Sequence, residues 1–173
     1  GAAVTPGLDG EPAGRMMKAA KERGLMTSLD TCYDGESVWF PRIEHALPYT
    51  DIVMSSFEEA CEYTGERTPE DIASFYLSQG PSVALVKLGP EGVYAKNKDE
   101  EVRAPGHVVK AVDSTGAGDV ACGAFLYAYL REWGLERSAR FANAAGALTV
   151  QAMGAAEGIK SLEQVTAFME QGT

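Results

Sequence analysis

Regular alternation between strand-like and helix-like segments narrows the folds open to this chain more than any other pattern. The run 82–88 is nearly continuous in apolar residues, as strands buried on both faces of a parallel sheet are. Shorter patterns predict strands over 25–29 and 51–54 and extended segments over 93–95, around Val102 and over 108–109. Helices are predicted over 12–23, 57–64, 69–79, 119–132, 136–152 and 161–171. This alternation indicates an α/β layer structure with a mainly parallel sheet.

Length and charge exclude several classes of protein. We expect the 173 residues to form a single α/β domain over 1–173. Lys and Arg number 15 against 25 Asp and Glu, and the resulting net charge of -10 argues against nucleic acid or an anionic membrane as a partner. The longest near-apolar run, 120–130, is shorter than the ~20 residues that a membrane-spanning helix needs. Cytoplasm is therefore the predicted location.

The cysteines are too few and too scattered to form a disulfide framework or a zinc site. They stand at positions 32, 61 and 122, and no Cys-x-x-Cys spacing occurs. Free cysteines of this kind are usually buried or half-buried thiols. That is the state we predict for Cys32, Cys61 and Cys122.

A glycine-rich turn, Asp-Ser-Thr-Gly-Ala-Gly-Asp over 113–119, precedes a long apolar helix. The glycines permit a sharp turn in which backbone N–H groups converge at a helix N-terminus, an arrangement that binds phosphate. Asp119 would project into the same place. Two interpretations of Asp119 stay open: its carboxylate caps free N–H groups of the helix, or it accepts a proton from a hydroxyl that attacks a bound phosphate.

Two other phosphate-binding motifs do not fit this turn. Gly116, Gly118 and Ala121 match a relaxed dinucleotide fingerprint, and Glu136 follows at a suitable distance. In that fold the acidic residue follows a second strand, which places it at the ribose. Glu136 instead follows a break between two predicted helices, so the dinucleotide motif does not fit. A P-loop needs the string GxxxxGK[ST], which does not occur in the sequence.

Segment 113–119 resembles the C-terminal motif of the ribokinase-like (PfkB) family of carbohydrate kinases. Weaker resemblances occur in the family's order at 51–60, 87–92 and 141–147, and Gly154 matches the turn that follows. Together they cover nearly the whole chain. The resemblance implies a three-layer α/β/α ribokinase-like (Rossmann-like) fold, with ATP and a small-molecule sugar as substrates.

Carried over to matching positions, the resemblance implies that Asp119 is the general base for the sugar hydroxyl. It also implies that the backbone amides of Gly116, Ala117 and Gly118 form the anion hole for the transferring phosphoryl group. Removing such a base or donor typically lowers the rate by ~10²–10⁴-fold.

The nucleotide would lie along residues of three further segments. Gly89 and Gly92 would let the backbone approach ATP, and Asn143 and Gly146 belong to the helix that flanks the adenine. Lys87 would reach a phosphate, although a lysine at the end of a strand is often simply solvated. For Asn143, a hydrogen bond to a neighbouring loop is the alternative.

Metal ligands are implied at two places. Glu59 matches an acidic residue that helps to organise Mg²⁺, and Ser56 stands where the family has an asparagine. An acidic first turn of a helix is the alternative for Glu59. Asp113 and Thr115 match positions that bind a monovalent cation such as K⁺ through oxygen atoms.

The resemblance implies ATP-dependent phosphorylation of a sugar or sugar-like hydroxyl. Nothing in the chain corresponds to the family's N-terminal half, which supplies most of the sugar site and a lid. We therefore expect a C-terminal portion that is not active alone and that forms a homo-oligomer to cover an open sheet edge. The alternative is a non-catalytic chain of the same fold that binds nucleotide or acts through assembly or regulation.

Overall fold

A computed structural model describes residues 5, 7–155 and 157–171. The strands are β1 (Ser28–Asp30), β2 (Ile52–Ser56), β3 (Val83–Lys87), β4 (Gly92–Asn97) and β5 (Glu101–Pro105). The helices are α1 (Glu11–Glu22), α2 (Phe57–Thr64), α3 (Pro69–Ser78), α4 (Ala117–Tyr129), α5 (Leu135–Thr149) and α6 (Leu162–Glu170). None of these helices has both the length and the apolar character that crossing a bilayer requires.

The five strands form one sheet in the order β1-β2-β3-β4-β5. β1 and β2 pair in parallel, with Ser28 opposite Ile52 and Asp30 opposite Met54. β4 and β5 are joined by a tight turn in which the Asn97 side chain accepts hydrogen bonds from two backbone N–H groups. Because consecutive strands joined by so short a turn run antiparallel, the sheet is mixed. The predicted α/β fold is confirmed.

The chain divides into two compact units, one of residues 1–86 with 96–100 and the other of residues 87–95 with 101–173. The core of the first unit includes buried side chains of β2 and α3, among them Ile52, Ile72 and Tyr76. The core of the second unit lies among α4, α5 and α6. The single-domain organisation stays a prediction.

Several helices begin where local sequence signals predict them. Ser56 is the N-cap of α2 and accepts a hydrogen bond from the Glu59 N–H, and Gly65 ends that helix in the left-handed conformation. Thr68 caps α3 in the same way, and Pro69 follows in the first turn. These residues satisfy N–H groups that no backbone carbonyl can reach.

Two helices end three residues earlier than the sequence predicts. α4 ends at Tyr129 because the chain turns away, with Glu132 at a left-handed φ of 61°. α5 ends at Thr149 rather than near 152. There the Val150 carbonyl accepts hydrogen bonds from Val112 and Asp113, at 2.7 and 3.2 Å, and not from a further helical turn.

The extended segment predicted over 108–109 is not a strand. β5 ends at Pro105, and no strand is assigned over the described residues 106–111. The Val108 side chain is 99% exposed, so its apolar character reflects no burial in the sheet. The cysteine prediction is confirmed, because Cys122 is buried and Cys32 and Cys61 are half-buried.

An ion cluster that is buried except for Glu36 stabilises the loop that follows β1 in the first unit. Arg42 is paired with three carboxylates, those of Asp9, Asp34 and Glu36. Asp34 is fully buried and also accepts hydrogen bonds from the N–H groups of Val38 and Trp39, both at 2.7 Å. The cluster therefore satisfies both charges and loop backbone in one place.

Candidate functional site

The predicted anion-binding turn leads directly into α4 in the second unit. Gly116 is the N-cap of α4 and has a φ of 75°, a left-handed conformation that side chains disfavour. A Cβ added at Gly116 would lie only 2.6 Å from the Cβ and the carbonyl oxygen of Ala155. Backbone conformation and close packing therefore both require glycine at this position.

This double requirement predicts that Gly116→Ala destabilises the protein more than Gly89→Ala does. Both glycines have a positive φ, which costs alanine about 1–2 kcal/mol. Only Gly116 also faces a close neighbour, because a Cβ on Gly89 would meet no atom within 4 Å. Urea unfolding of the two variants measures the difference in the free energy of unfolding. Equal losses would show that the contact with Ala155 relaxes freely.

Asp113 ties the turn to the loop that follows α5. One carboxylate oxygen accepts a hydrogen bond from the Thr115 N–H and the other from the Gly154 N–H, both at 2.9 Å. The bonds from Gly154 and Thr115 hold the pKa of Asp113 below its ordinary value. Each oxygen of Asp113 therefore already has a partner within the protein. Cation binding by Asp113 and Thr115 stays a prediction.

The first turn of α4 presents backbone N–H groups that no capping side chain covers, because the N-cap is a glycine. The Ala117 N–H donates to the Ser114 carbonyl at 3.2 Å. Among the described residues, no acceptor contacts the N–H groups of Gly118 and Asp119. Such groups, together with the positive end of the helix dipole, favour a bound anion.

The Lys87 ammonium lies beside this helix N-terminus. Its Nζ is 3.4 Å from the position that a Cβ on Gly118 would occupy and 3.3 Å from Sγ of Cys122. A cation next to the positive end of a helix is electrostatically unfavourable, so an anion bound between them would be stabilised by both. Phosphate binding by Lys87 stays a prediction.

Asp119 is exposed in the first turn of α4. In the described part of the chain its carboxylate accepts no hydrogen bond, so Asp119 does not cap an N–H group of the helix there. An exposed carboxylate next to uncovered N–H groups is free to approach a substrate. Its role as a general base stays a prediction.

The two glycines predicted to approach ATP differ in their surroundings. A Cβ on Gly92 would lie 2.1 Å from the Ala104 carbonyl oxygen, so the backbone of β5 already occupies the space next to Gly92. Gly89, by contrast, faces open space. Close approach of two strands therefore requires glycine at position 92, and the approach of Gly89 and Gly92 to ATP stays a prediction.

Asn143 and Gly146 both make contacts within the second unit. The Asn143 side chain donates a 2.7 Å hydrogen bond to the Pro105 carbonyl, which is the loop contact given above as the alternative. A Cβ on Gly146 would be 3.6 Å from the Ala117 carbonyl oxygen, so Gly146 faces the start of α4. A cavity of about 250 Å³ adjoins Asn143 and is also lined by Arg103, His107 and Arg140, which no sequence motif indicated.

Ser56 and Glu59, the predicted magnesium residues, lie in the first unit and form a capping box. The Glu59 N–H donates to Ser56 Oγ at 3.3 Å, and the Ser56 N–H donates to Glu59 Oε2 at 3.4 Å. Thr31 also donates to Glu59, at 3.0 Å. No group of three His, Cys, Asp or Glu that could hold a metal occurs among the residues that the structure describes. Helix capping is thus a role that both residues already have. Binding of Mg²⁺ near them stays a prediction.

Comparison with known proteins gives consistent matches. The sequence profile of the pfkB family carbohydrate kinases matches residues 2–162. A 2-dehydro-3-deoxygluconokinase of Bacillus subtilis is 38% identical over 61% of this chain and 33% of its own length. A ribokinase of Staphylococcus aureus is 34% identical over 84% of this chain and 48% of its own length.

Solved structures agree with these sequence matches. The ribokinase of Arabidopsis thaliana, complexed with ribose and ATP, superposes with a TM-score of 0.78 at 28% identity. The match covers 91% of this chain and 51% of that ribokinase. This chain therefore spans about half the length of such relatives, or less.

Proposed function

Because the chain belongs to the pfkB family of carbohydrate kinases, we propose that this protein transfers a phosphoryl group from ATP to a hydroxyl of a sugar or sugar-like compound. One observation carries the proposal. The first turn of α4 combines N–H groups without a capping side chain, the Lys87 ammonium and the exposed Asp119 carboxylate. An anion site and a proton acceptor side by side are what phosphoryl transfer to an alcohol requires.

The anion hole of the proposal consists of the backbone amides of Gly116, Ala117 and Gly118. Negative charge spreads over the phosphoryl oxygens in the transition state, and fixed N–H donors stabilise it without reorganising. The Gly118 N–H points to no acceptor among the described residues, and is the amide most directly available. The Lys87 ammonium adds a full positive charge at the same place.

Asp119 is the proposed general base. Its carboxylate would take the proton from the sugar hydroxyl as the oxygen attacks phosphorus, so that the attacking oxygen does not keep a positive charge. This role needs a carboxylate that is within reach of the phosphate and not already bonded elsewhere. Asp119 meets the second condition, since it accepts no hydrogen bond in the described part of the chain.

The residues of this chain fit the phosphates of ATP better than they fit a metal ion. The α4 N-terminus and Lys87 are suited to polyphosphate, whereas Glu59 and Ser56 already bind each other. Mg²⁺ commonly binds to substrate phosphates with few protein ligands and would supply charge neutralisation when bound. Magnesium use, potassium use, a homo-oligomer and a cytoplasmic location all remain part of the proposal.

Comparing the affinities for ATP and for adenosine tests the anion site. We expect wild-type protein to bind Mg·ATP at least tenfold more tightly than adenosine, because only ATP carries the phosphates. Lys87→Met is expected to weaken ATP binding by about 10- to 100-fold, the effect of losing a hydrogen bond to a charged group, and to leave adenosine binding unchanged. Isothermal titration calorimetry measures both affinities.

Lys160→Met is the matched control, since Lys160 is an exposed lysine that pairs with Glu157. It removes the same charge far from α4 in sequence, and should change neither affinity by more than about twofold. Wild-type protein that binds ATP no more tightly than adenosine would contradict the proposed function.

A further inference from the structure

We propose that Cys122 is a positioning residue whose sulfur holds the Lys87 ammonium at the N-terminus of α4. This inference rests on the proposed function, in which the phosphates of ATP bind at that end of the helix. Cys122 itself does not touch the substrate in the proposal. It acts by fixing where the positive charge of Lys87 lies.

The geometry brings three residues of the second unit together. Gly118 and Cys122 are four positions apart on α4, so they lie on the same face of the helix. Lys87 is the last residue of β3, and its Nζ lies 3.3 Å from Sγ of Cys122. Nζ is also 3.4 Å from where a Cβ on Gly118 would be. The ammonium therefore lies between the sulfur and the first turn of the helix.

The surroundings of Cys122 suit a fixed anchor. The residue is only 5% exposed, and it belongs to a helix that packs against α5. A lysine side chain has four rotatable bonds and loses rotamer entropy when it is held in place. A buried acceptor removes part of that loss before the nucleotide arrives, because the ammonium is already positioned.

Sulfur is also chemically suited to hold the ammonium without cancelling its charge. A thiol is a weak, neutral acceptor. An aspartate or glutamate at position 122 would form an ion pair with Lys87 and weaken its attraction for phosphate. Gly118 leaves the space next to Nζ open, since a Cβ there would already be in van der Waals contact with Nζ at 3.4 Å. Cysteine at 122 therefore contacts the ammonium without adding a negative charge of its own beside the first turn of α4.

The decisive measurement is the ratio of ATP to adenosine affinity in Cys122→Ala, obtained by calorimetry. A positioning role predicts that ATP binding weakens by about 3- to 10-fold, the usual effect of one hydrogen bond, while adenosine binding stays within twofold. A role in packing alone would weaken both ligands together or neither. Cys122→Ser retains an acceptor, so we expect it to restore the ratio to within about twofold of wild type.

A double-mutant cycle links the effect to Lys87. In the Lys87→Met background, Cys122→Ala should cause no further loss of ATP affinity, because there is no ammonium left to position. Cys122→Val removes the acceptor but fills the volume of the sulfur, and replaces Cys122→Ala if the alanine variant does not fold. Circular dichroism and thermal unfolding establish that each variant is folded.

The outcomes separate this inference from the function on which it rests. If wild-type protein prefers ATP and Cys122→Ala keeps the full preference, the positioning role is overturned and the proposed function stands. Equal loss of ATP and adenosine binding likewise overturns it. A wild-type protein without any preference for ATP overturns the proposed function and this inference with it.

Discussion

Phosphoryl transfer to a sugar is expected to fall by about 10³-fold when Asp119 is replaced by asparagine, the range typical of a lost general base. Asparagine keeps the size of the side chain but cannot accept the proton of the attacking hydroxyl. Binding of Mg·ATP should change by less than about threefold, because Asp119 is not part of the proposed anion hole. Single-turnover transfer from ATP to a panel of sugars measures the rate.

Glu163→Gln is the matched control for this experiment. Glu163 is also an acidic residue in the first turn of a helix, α6, so the same change removes one negative charge at an equivalent place. We expect its transfer rate to equal that of wild type. If Asp119→Asn transfers phosphate at a rate within threefold of wild type, Asp119 is not the base, and its carboxylate serves only the helix.

The second large effect is expected on stability. Asp34→Ala should lower the free energy of unfolding by about 3–5 kcal/mol, because the Arg42 side chain, which is only 12% exposed, loses its buried carboxylate partner. It also deprives the N–H groups of Val38 and Trp39 of their acceptor. Trp39 is held at a left-handed φ of 60°, which such bonds help to maintain. Urea unfolding measures the loss.

Glu36→Ala is the control, since Glu36 pairs with the same Arg42 but its side chain is 77% exposed. An exposed pair contributes about 0–1 kcal/mol, so a small loss is expected. A similar loss in both variants would mean that burial of Asp34 contributes nothing beyond the ion pair.

Acid should remove the contribution of Asp34. Burial alone would raise its pKa, but hydrogen bonds from the Trp39 and Glu36 N–H groups, from Arg42 and from the Val38 N–H lower it to about 2. A folded-state pKa below the ordinary value of 3.8 means that the charged form stabilises the fold above about pH 4. That stabilisation is lost as the pH falls towards 2. The difference in stability between wild type and Asp34→Ala should therefore shrink between pH 4 and 2.

Local patterns account for the parts of the fold and site that could be predicted. The capping residues Ser56 and Thr68 each bind an N–H group three residues later, so the start of each helix can be predicted from the local sequence. The glycine pattern at 116 and 118 is local in the same sense, and it does mark the start of α4. The prediction of an extended segment over 108–109 was wrong, because two adjacent valines do not show whether other parts of the fold will cover them.

Contacts between distant positions could not be predicted. Lys87 and Cys122 are 35 positions apart, and each has an ordinary interpretation when it is considered alone. The close approach of Ala104 in the next strand already requires glycine at position 92. Asn143 likewise satisfies the Pro105 carbonyl, 38 positions away. In each case the contact partner is distant in sequence and is brought near only by the fold, so the residues next to each position do not indicate the contact.

The hydrogen bond between Asp113 and Gly154 joins residues 41 positions apart, at the two ends of the segment that contains α4 and α5. Between those ends α4 and α5 pack against each other, with Gly146 facing Ala117 and Ala121 of α4. A segment tied at both ends and packed along its length can vary in length only at the mostly exposed turn 130–134. In the evolution of such chains, insertions and deletions are expected at that turn. The rest of the segment is then expected to keep its length, so that the spacing between Asp119, the proposed base, and Cys122, the contact of Lys87, does not change.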